Sequence, residues 1–251
     1  MALKLSVVTV CLNSERTIAC TIDSFVRQTY PDKELILIDG CSTDRTVEIV
    51  KSFHCDNIRI WSEPDTGIYD AMNKGLELYG GDALGFLNSD DAFHEPTVLD
   101  SIAMGLESAD AVYGDVRFVV DHNSKQVVRR WTAGPYRKGS FRNGWLPPHP
   151  TFYIRRDLAK RTGRFDLRYG SASDYDYMLR AMELQNPQVC YIPRVLVDFL
   201  QGGRSSGSIS GYVSANLLCL KSRRQHLNAP PLDLALILKP LRKLHQFRAW
   251  G

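Results

Sequence analysis

Gly85-Phe86-Leu87-Asn88-Ser89-Asp90-Asp91 is the stretch that decides the fold. An apolar run, Ala83 to Leu87, stops at two adjacent carboxylates. A run this short reads as a strand buried on both faces, as in parallel sheets. Such a strand does not tolerate charge, so the acids lie past its C-terminal end. In open α/β sheets that edge is where ligands bind. Two acids there suit a hard divalent cation that also holds phosphate oxygens. The alternative is a turn, with Asn, Ser and Asp as turn formers and an aspartate capping the next helix.

Upstream, the same pattern repeats. Lys4 to Val10 and Glu34 to Asp39 read as buried strands, the second again ending in an acid, and Ile58 to Trp61 as a shorter third. Between them lie helical stripes: Asn13 as cap of a helix running to Gln28, then Asp44 to Phe53, then Ile68 to Tyr79. The order βαβαβαβ predicts a parallel sheet with right-handed crossovers. Downstream the pattern is less regular. Pro96 to Glu107 reads as a helix, and Ala111 to Val120 with Lys125 to Trp131 as a hairpin. Thr151 to Arg155, Val189 to Ile192 and Val195 to Leu200 read as short strands, and Ser173 as the cap of a helix.

The 251 residues carry ordinary hydrophobic (44%) and charged (24%) fractions, which suits one large α/β domain with an appendage. No apolar run reaches membrane-spanning length, and the N-terminus lacks a signal-peptide pattern, so a cytoplasmic protein is expected. Six scattered cysteines with no C-x-x-C pair predict free thiols rather than disulfides or zinc. The net charge of +3 is uneven: residues 221–251 hold seven Lys/Arg against Asp233 alone, which leaves the body of the chain negative. Nucleic-acid binding by the body is therefore not expected. After Pro230-Pro231, Leu234, Ile237, Leu238, Leu241, Leu244 and Phe247 alternate with basic residues, and Pro240 interrupts them. This segment reads as a helix packed on the domain or on a homodimer partner, or as an interfacial helix on anionic lipid.

The first strand leads into Cys11-Leu12-Asn13-Ser14, not G-x-G-x-x-G, and the chain has no P-loop and no G-x-S-x-G elbow. What it has is acids at strand ends, Asp39, Asp90 and Asp91, with Asp65, Asp70 and Lys74 between them. Each alone has a bland reading as a turn or solvated helix face. Adjacent strand ends place them around one crevice.

SVVTVCLN, LILIDGCSTD, SEPDTGIYDAMNKG and GFLNSDD together resemble the family-2 glycosyltransferases of GT-A fold, close to members that build bacterial exopolysaccharide and O-antigen units. The resemblance covers roughly Leu3 to Gly203. It implies an α/β Rossmann-like, mostly parallel sheet flanked by helices, with residues 1–204 as the glycosyltransferase domain: 1–92 the nucleotide-binding half, 93–204 the acceptor half. Residues 205–251 form a basic helical extension. It implies a UDP- or GDP-sugar donor, Mg²⁺ or Mn²⁺, and a saccharide or lipid-linked acceptor at the cytoplasmic face of a membrane.

Residue by residue, the resemblance puts Thr9, Cys11, Asn13, Asp39, Asp70, Asn73, Lys74, Asp90 and His149 at the nucleotide-sugar. Asp39 matches the acid that reads the base. Asp91 and Asp90 match the metal ligands, Asp91 first. Asn88 stands where the family's first acid would be, and Lys74 follows a Met72 slot that many members fill with arginine. In Ser173-Asp174-Tyr175-Asp176 the resemblance makes Asp174 the general base, with helix capping as the bland alternative. Pro150 follows His149 where the family often has glutamine, and Gly202-Gly203-Arg204-Ser205-Ser206 matches a flexible loop. Two rivals remain: a non-catalytic sugar-nucleotide-binding relative, and a sugar nucleotidyltransferase, whose glycine- and arginine-rich loop Cys11 to Arg16 lacks.

Overall fold

The structure, a computed structural model, describes residues 3–122, 126–202 and 209–230. Strands β1 (Leu5–Cys11), β2 (Lys33–Asp39), β3 (Ile58–Ser62) and β4 (Ala83–Phe86) are parallel and lie side by side as β3-β2-β1-β4. The chain works outward from β1 to β3 and then returns to the far side of β1. The strand order thus reverses between β1 and β4, and the crevice outside the carboxyl ends at such a switch point is the ligand site of open α/β sheets.

Helices α1 (Ile18–Val26), α2 (Thr46–Ser52) and α3 (Ile68–Leu78) make the crossovers. Side chains along a strand alternate between faces. Leu5, Val7, Leu35 and Leu37 pack with Ile18, Ile22 and Phe25 of α1. Val8, Val10, Ile36 and Ile38 pack with Ala71 and Met72 of α3 on the other face. Covering both faces is what demands unbroken Val/Ile/Leu strands.

The sheet continues as β4-β8-β6-β9-β5, with β7 on the free part of β6. These strands are β5 (Ala92–Phe93), β6 (Ala111–Val119), β7 (Val127–Trp131), β8 (Tyr153–Arg155) and β9 (Val189–Leu200). Helices α4 (Val98–Leu106), α5 (Arg156–Thr162), α6 (Ser173–Leu179) and α7 (Ile209–Leu227) complete the described chain. The expected β6–β7 hairpin is present and antiparallel. The sheet as a whole is mixed: parallel in its first four strands and again between β6 and β9, antiparallel in the other pairings beyond β4.

Four local readings are corrected. Asn13 does not cap α1, which starts at Ile18 behind Thr17. Asn13 instead takes a left-handed φ of 50° and its Oδ1 accepts the Thr43 N–H at 2.9 Å, joining the loops after β1 and β2. Ser173 does not cap α6: its Oγ donates to the carbonyls of Asp166 (2.8 Å) and Gly170 (2.9 Å). Val189–Leu200 is one strand, because the ladder jumps from Gly114↔Ile192 to Asp115↔Val195 and leaves Pro193, which has no N–H to pair, and Arg194 in a bulge. Helix α5 was not expected; two turns are too short to show a stripe.

The glycine of the opening stretch has a packing reason. Gly85 pairs with Tyr153 across β4 and β8, and a Cβ there would lie 2.5 Å from the buried Tyr153 ring. Among the described residues no helix is long and apolar enough to cross a membrane. The expected apolar-basic segment of residues 231–251 and the stretch from Gly203 to Ser206 lie outside the described residues.

Candidate active site

The first wall of the crevice is the end of β2. Asp39 is fully buried, and its carboxylate accepts the Ser42 N–H, the Ser42 hydroxyl and, at 2.6 Å, the Ser62 hydroxyl. In register beside it, the Cys11 thiol lies 3.8 Å from Asp39 Oδ1. Burial, and then Asp39, push that thiol up to about 12, so Cys11 stays protonated and points its weak donor at the carboxylate. Asp65 comes from the loop after β3. Its Oδ1 accepts the Gly67 N–H at 2.8 Å, and its Oδ2 lies so close to Gly40 that a Cβ there would sit 2.5 Å away. Glycine at position 40 therefore lets Asp65 close onto the end of β2. Thr9, expected at the nucleotide, is fully enclosed within the sheet, its hydroxyl without a partner.

The second wall is the end of β4. The Ser14 and Ser89 hydroxyls meet at 3.0 Å, tying the loop after β1 to the Asn88–Asp91 stretch. The two acids are not equivalent. Asp91 is fully buried: Oδ2 accepts the Asn88 amide at 2.7 Å and Oδ1 the Leu200 N–H at 3.3 Å. Asp90 is half-buried, and His122 Nε2 lies 2.8 Å from its carbonyl oxygen. Burial raises both carboxyls above the usual range, Asp91 strongly, and the Asp90 charge adds to the rise at Asp91.

The third wall comes from the second half of the chain. The imidazole of His149, on a single helical turn before β8, stacks on Phe86 of β4 with ring centroids 5.5 Å apart. Burial lowers the His149 pKa and the negative charge of Asp174 opposes that. Asp174 is half-buried in the first turn of α6, its Oδ1 accepting the Tyr175 N–H at 2.7 Å. Tyr69, in the first turn of α3, faces the same carboxyl, and burial together with Asp174 drives its phenol far up from the usual range. Phe165 packs between them, 5.7 Å from the Tyr69 ring and 5.9 Å from His149. Asp174 thus shares its surroundings with Tyr69 and His149, and His149 in turn stacks on Phe86, at the end of β4 from which the chain runs on to Asn88–Asp91.

Three expected binding residues are engaged elsewhere. Asn73 is buried and spends its amide on the Phe165 backbone. Lys74 Nζ donates to the Pro64 carbonyl at 2.6 Å and pairs with Glu63 at 3.0 Å, bracing the loop that carries Asp65. Asp70 Oδ2 accepts the Thr66 N–H and hydroxyl, which holds its carboxyl below the usual range and closes the start of α3. Sequence reasoning missed Ser42, Ser62, Tyr69 and His122. Tyr69 lay in the quoted motif beside Asp70, but only packing shows that it faces Asp174.

Among the described residues no cluster of three His, Cys, Asp or Glu forms a complete metal cage. A pair of acids raised by burial, with the Asp90 charge adding at Asp91, still suits a cation held jointly with a ligand's phosphates. Mg²⁺ is commonly bound in that way, through one or two carboxylates and substrate oxygens.

A parallel switch-point sheet with acids at its carboxyl edge, extended beyond β4 by a mixed set of strands, is the architecture of the GT-A glycosyltransferases. Over 99% of its length the chain is similar to the crystal structure of S. aureus TarS 1-349 in complex with UDP-GlcNAc (TM-score 0.68, 20% identity, 74% of that chain). It is similar over 98% to the mannosyltransferase PcManGT from Pyrobaculum calidifontis in complex with GDP-Man and Mn²⁺ (TM-score 0.67, 16% identity, 70% of that chain). In sequence it is 32% identical over 212 residues to a PGL/p-HBAD biosynthesis glycosyltransferase of Mycobacterium bovis (strain BCG / Pasteur 1173P2), covering 81% of this chain and 79% of that protein. The model of glycosyl transferase family 2 matches residues 6–162, and the chain belongs to that family. The matched region ends before α6, so Asp174 lies beyond it.

Proposed function

We propose that this chain transfers a sugar from a UDP- or GDP-sugar to a saccharide or lipid-linked saccharide, with inversion and with Mg²⁺ or Mn²⁺. The observation that supports the reading is the chain of contacts from Asp174 to the end of β4: the Asp174 charge acts on His149, and His149 stacks on Phe86, just before the Asn88–Asp91 stretch. Residues 1–92 hold the nucleotide and residues 93–204 bring the acceptor and the base.

Asp39, Cys11 and Asp65 form the wall against which the base sits, with Asn13 closing the loop above it. Asp90 is the better metal ligand of the pair, because both carboxylate oxygens of Asp91 are already hydrogen-bonded in the interior. When bound, the cation neutralises charge on the departing diphosphate. Asp174 accepts the proton as the acceptor O–H bond breaks. The new bond forms at the anomeric carbon, and the bond to the diphosphate breaks with its electron pair leaving on the nucleotide. A single displacement of this kind inverts the anomeric centre. Positioning does much of the remaining work. The apolar-basic segment after Pro230-Pro231 is the part that contacts a membrane carrying a lipid-linked acceptor, at its cytoplasmic face.

Asp174→Asn tests the reading, since asparagine keeps the shape and cannot take the proton. Nucleotide affinity and folding stay close to the parent while kcat falls by roughly 10²-fold or more, the scale of a lost general base. Unchanged turnover per folded molecule would show that Asp174 is not the base. Absence of turnover in the parent with every donor tried, alongside tight nucleotide binding, would favour a sugar-nucleotide-binding protein.

A further inference from the structure

The neighbour of Asp174 two residues on is not a solvated helix acid. Asp176 is fully buried, and its carboxylate is shared between two helices. Oδ2 accepts Arg180 Nε at 2.7 Å within the same helical run. Oδ1 accepts the Ser222 hydroxyl at 2.8 Å and lies 3.0 Å from His226 Nε2, both on α7. Beside it, Arg223 of α7, itself only 1% exposed, donates to the Tyr175 hydroxyl at 3.1 Å. Arg180 in turn holds the Thr162 and Arg164 carbonyls, so the same carboxylate links α7 to the chain leading into the Asp174 turn.

We infer that Asp176 is a positioning residue and that α7, through Ser222 and His226, sets the placement of Asp174 against the acceptor. This rests on Asp174 as the base. The physical case is geometric. Helix α6 starts without a side-chain cap and runs on through Arg180–Leu184 as a wider, π-helical turn. Its first turn, which carries Asp174, is backed by a buried polar joint rather than by apolar contacts alone. A buried carboxylate joint is directional, because each donor has one place to go, and removing one donor leaves charge unsatisfied. Apolar packing would hold α6 near α7 without fixing its rotation. Proton transfer depends on hydrogen-bond reach between base and hydroxyl, so a small rotation of α6 is felt in turnover. Helix α7, outside the matched family region, is in this view part of the catalytic scaffold.

The test uses the full-length chain and two variants of one position. His226→Leu removes the donor to Asp176, whereas His226→Gln keeps an N–H near the Nε2 position. Kd for UDP and GDP by calorimetry, acceptor KM, kcat per folded molecule and thermal midpoint are measured for both, with Ser222→Ala as a second lesion. Nucleotide Kd stays unchanged, because Asp39 and Asp90 belong to the other half. His226→Leu and Ser222→Ala lower kcat by roughly tenfold, and His226→Gln recovers most of it. A fall in thermal midpoint with kcat per folded molecule unchanged would make α7 a structural prop and overturn the inference. So would an equal loss of kcat in the leucine and glutamine variants, or a parallel loss of nucleotide affinity. Asp174→Asn measured alongside separates the two ideas: if it retains full turnover, the base assignment has failed, and if it alone is impaired, only the role of α7 has failed.

Discussion

Asn73 and Phe165, 92 residues apart, are joined by two hydrogen bonds: the Asn73 amide donates to the Phe165 carbonyl at 3.0 Å, and its Oδ1 accepts the Phe165 N–H at 2.8 Å. The pair clasps α3 to the loop in front of α6, which carries Asp174. Asn73, expected at the nucleotide, thus joins two segments far apart in sequence. Asn73→Ala leaves two backbone groups unsatisfied in a buried place, at about 1–3 kcal/mol each. Chemical denaturation should show the loss, with nucleotide affinity nearly intact. Weakened nucleotide binding at unchanged stability would return Asn73 to the donor site.

The unequal burial of Asp90 and Asp91 separates metal from structure. Nucleotide diphosphates bind more tightly with Mn²⁺ or Mg²⁺ than with EDTA, and Asp90→Ala abolishes that gain. Asp91→Ala instead costs stability, about 1–3 kcal/mol for leaving the Leu200 N–H and Asn88 amide unpaired. Calorimetry and denaturation of both variants decide it. Equal affinity with and without EDTA, for every nucleotide tried, sinks the metal assignment.

Burial keeps His149 neutral below its ordinary pKa of 6.5, with Asp174 opposing the shift. The folded value is depressed, so near pH 6 and below the unfolded chain binds the proton that the folded chain refuses. Stability contributed at this position is therefore complete above pH 6.5 and is lost as pH falls through the folded value. His149→Gln should flatten the stability profile on the acid side. A variant whose acid-side slope matches the parent would show that His149 titrates alike in both states.

Gly85→Ala places a methyl group against the Tyr153 ring, within 2.5 Å of three of its atoms. Neither strand can yield easily, since Gly85 and Tyr153 are paired in the ladder. Overpacking of this kind costs about 1–3 kcal/mol. The double variant Gly85→Ala/Tyr153→Leu should recover part of it. Full parental stability in the single variant would mean that β8 moves aside.

The first half of the fold and the strand-end acids were legible in the sequence because they depend on local chemistry. A strand covered on both faces is apolar along its middle, as in Leu35 to Ile38, and charge falls at its ends. Connections between parallel strands then put Asp39 and Asp90-Asp91 at one edge. The family motifs added Asp174 as an acid at the start of a helix. Tertiary structure alone decided how each of these side chains is employed. Asp90 and Asp91 are adjacent in sequence, yet one is half-buried and the other is sealed by Asn88 and by Leu200, more than a hundred residues away. Asn73, Lys74 and Asp70 match the donor motif in type, but their partners are Phe165, the Glu63-Pro64 loop and Thr66. Asp176 lies in the same helix-start stretch as Asp174 and is the buried joint to α7. A residue type announces which hydrogen bonds it can make. Which of them it makes depends on groups brought near by packing, and that information is spread over the whole chain.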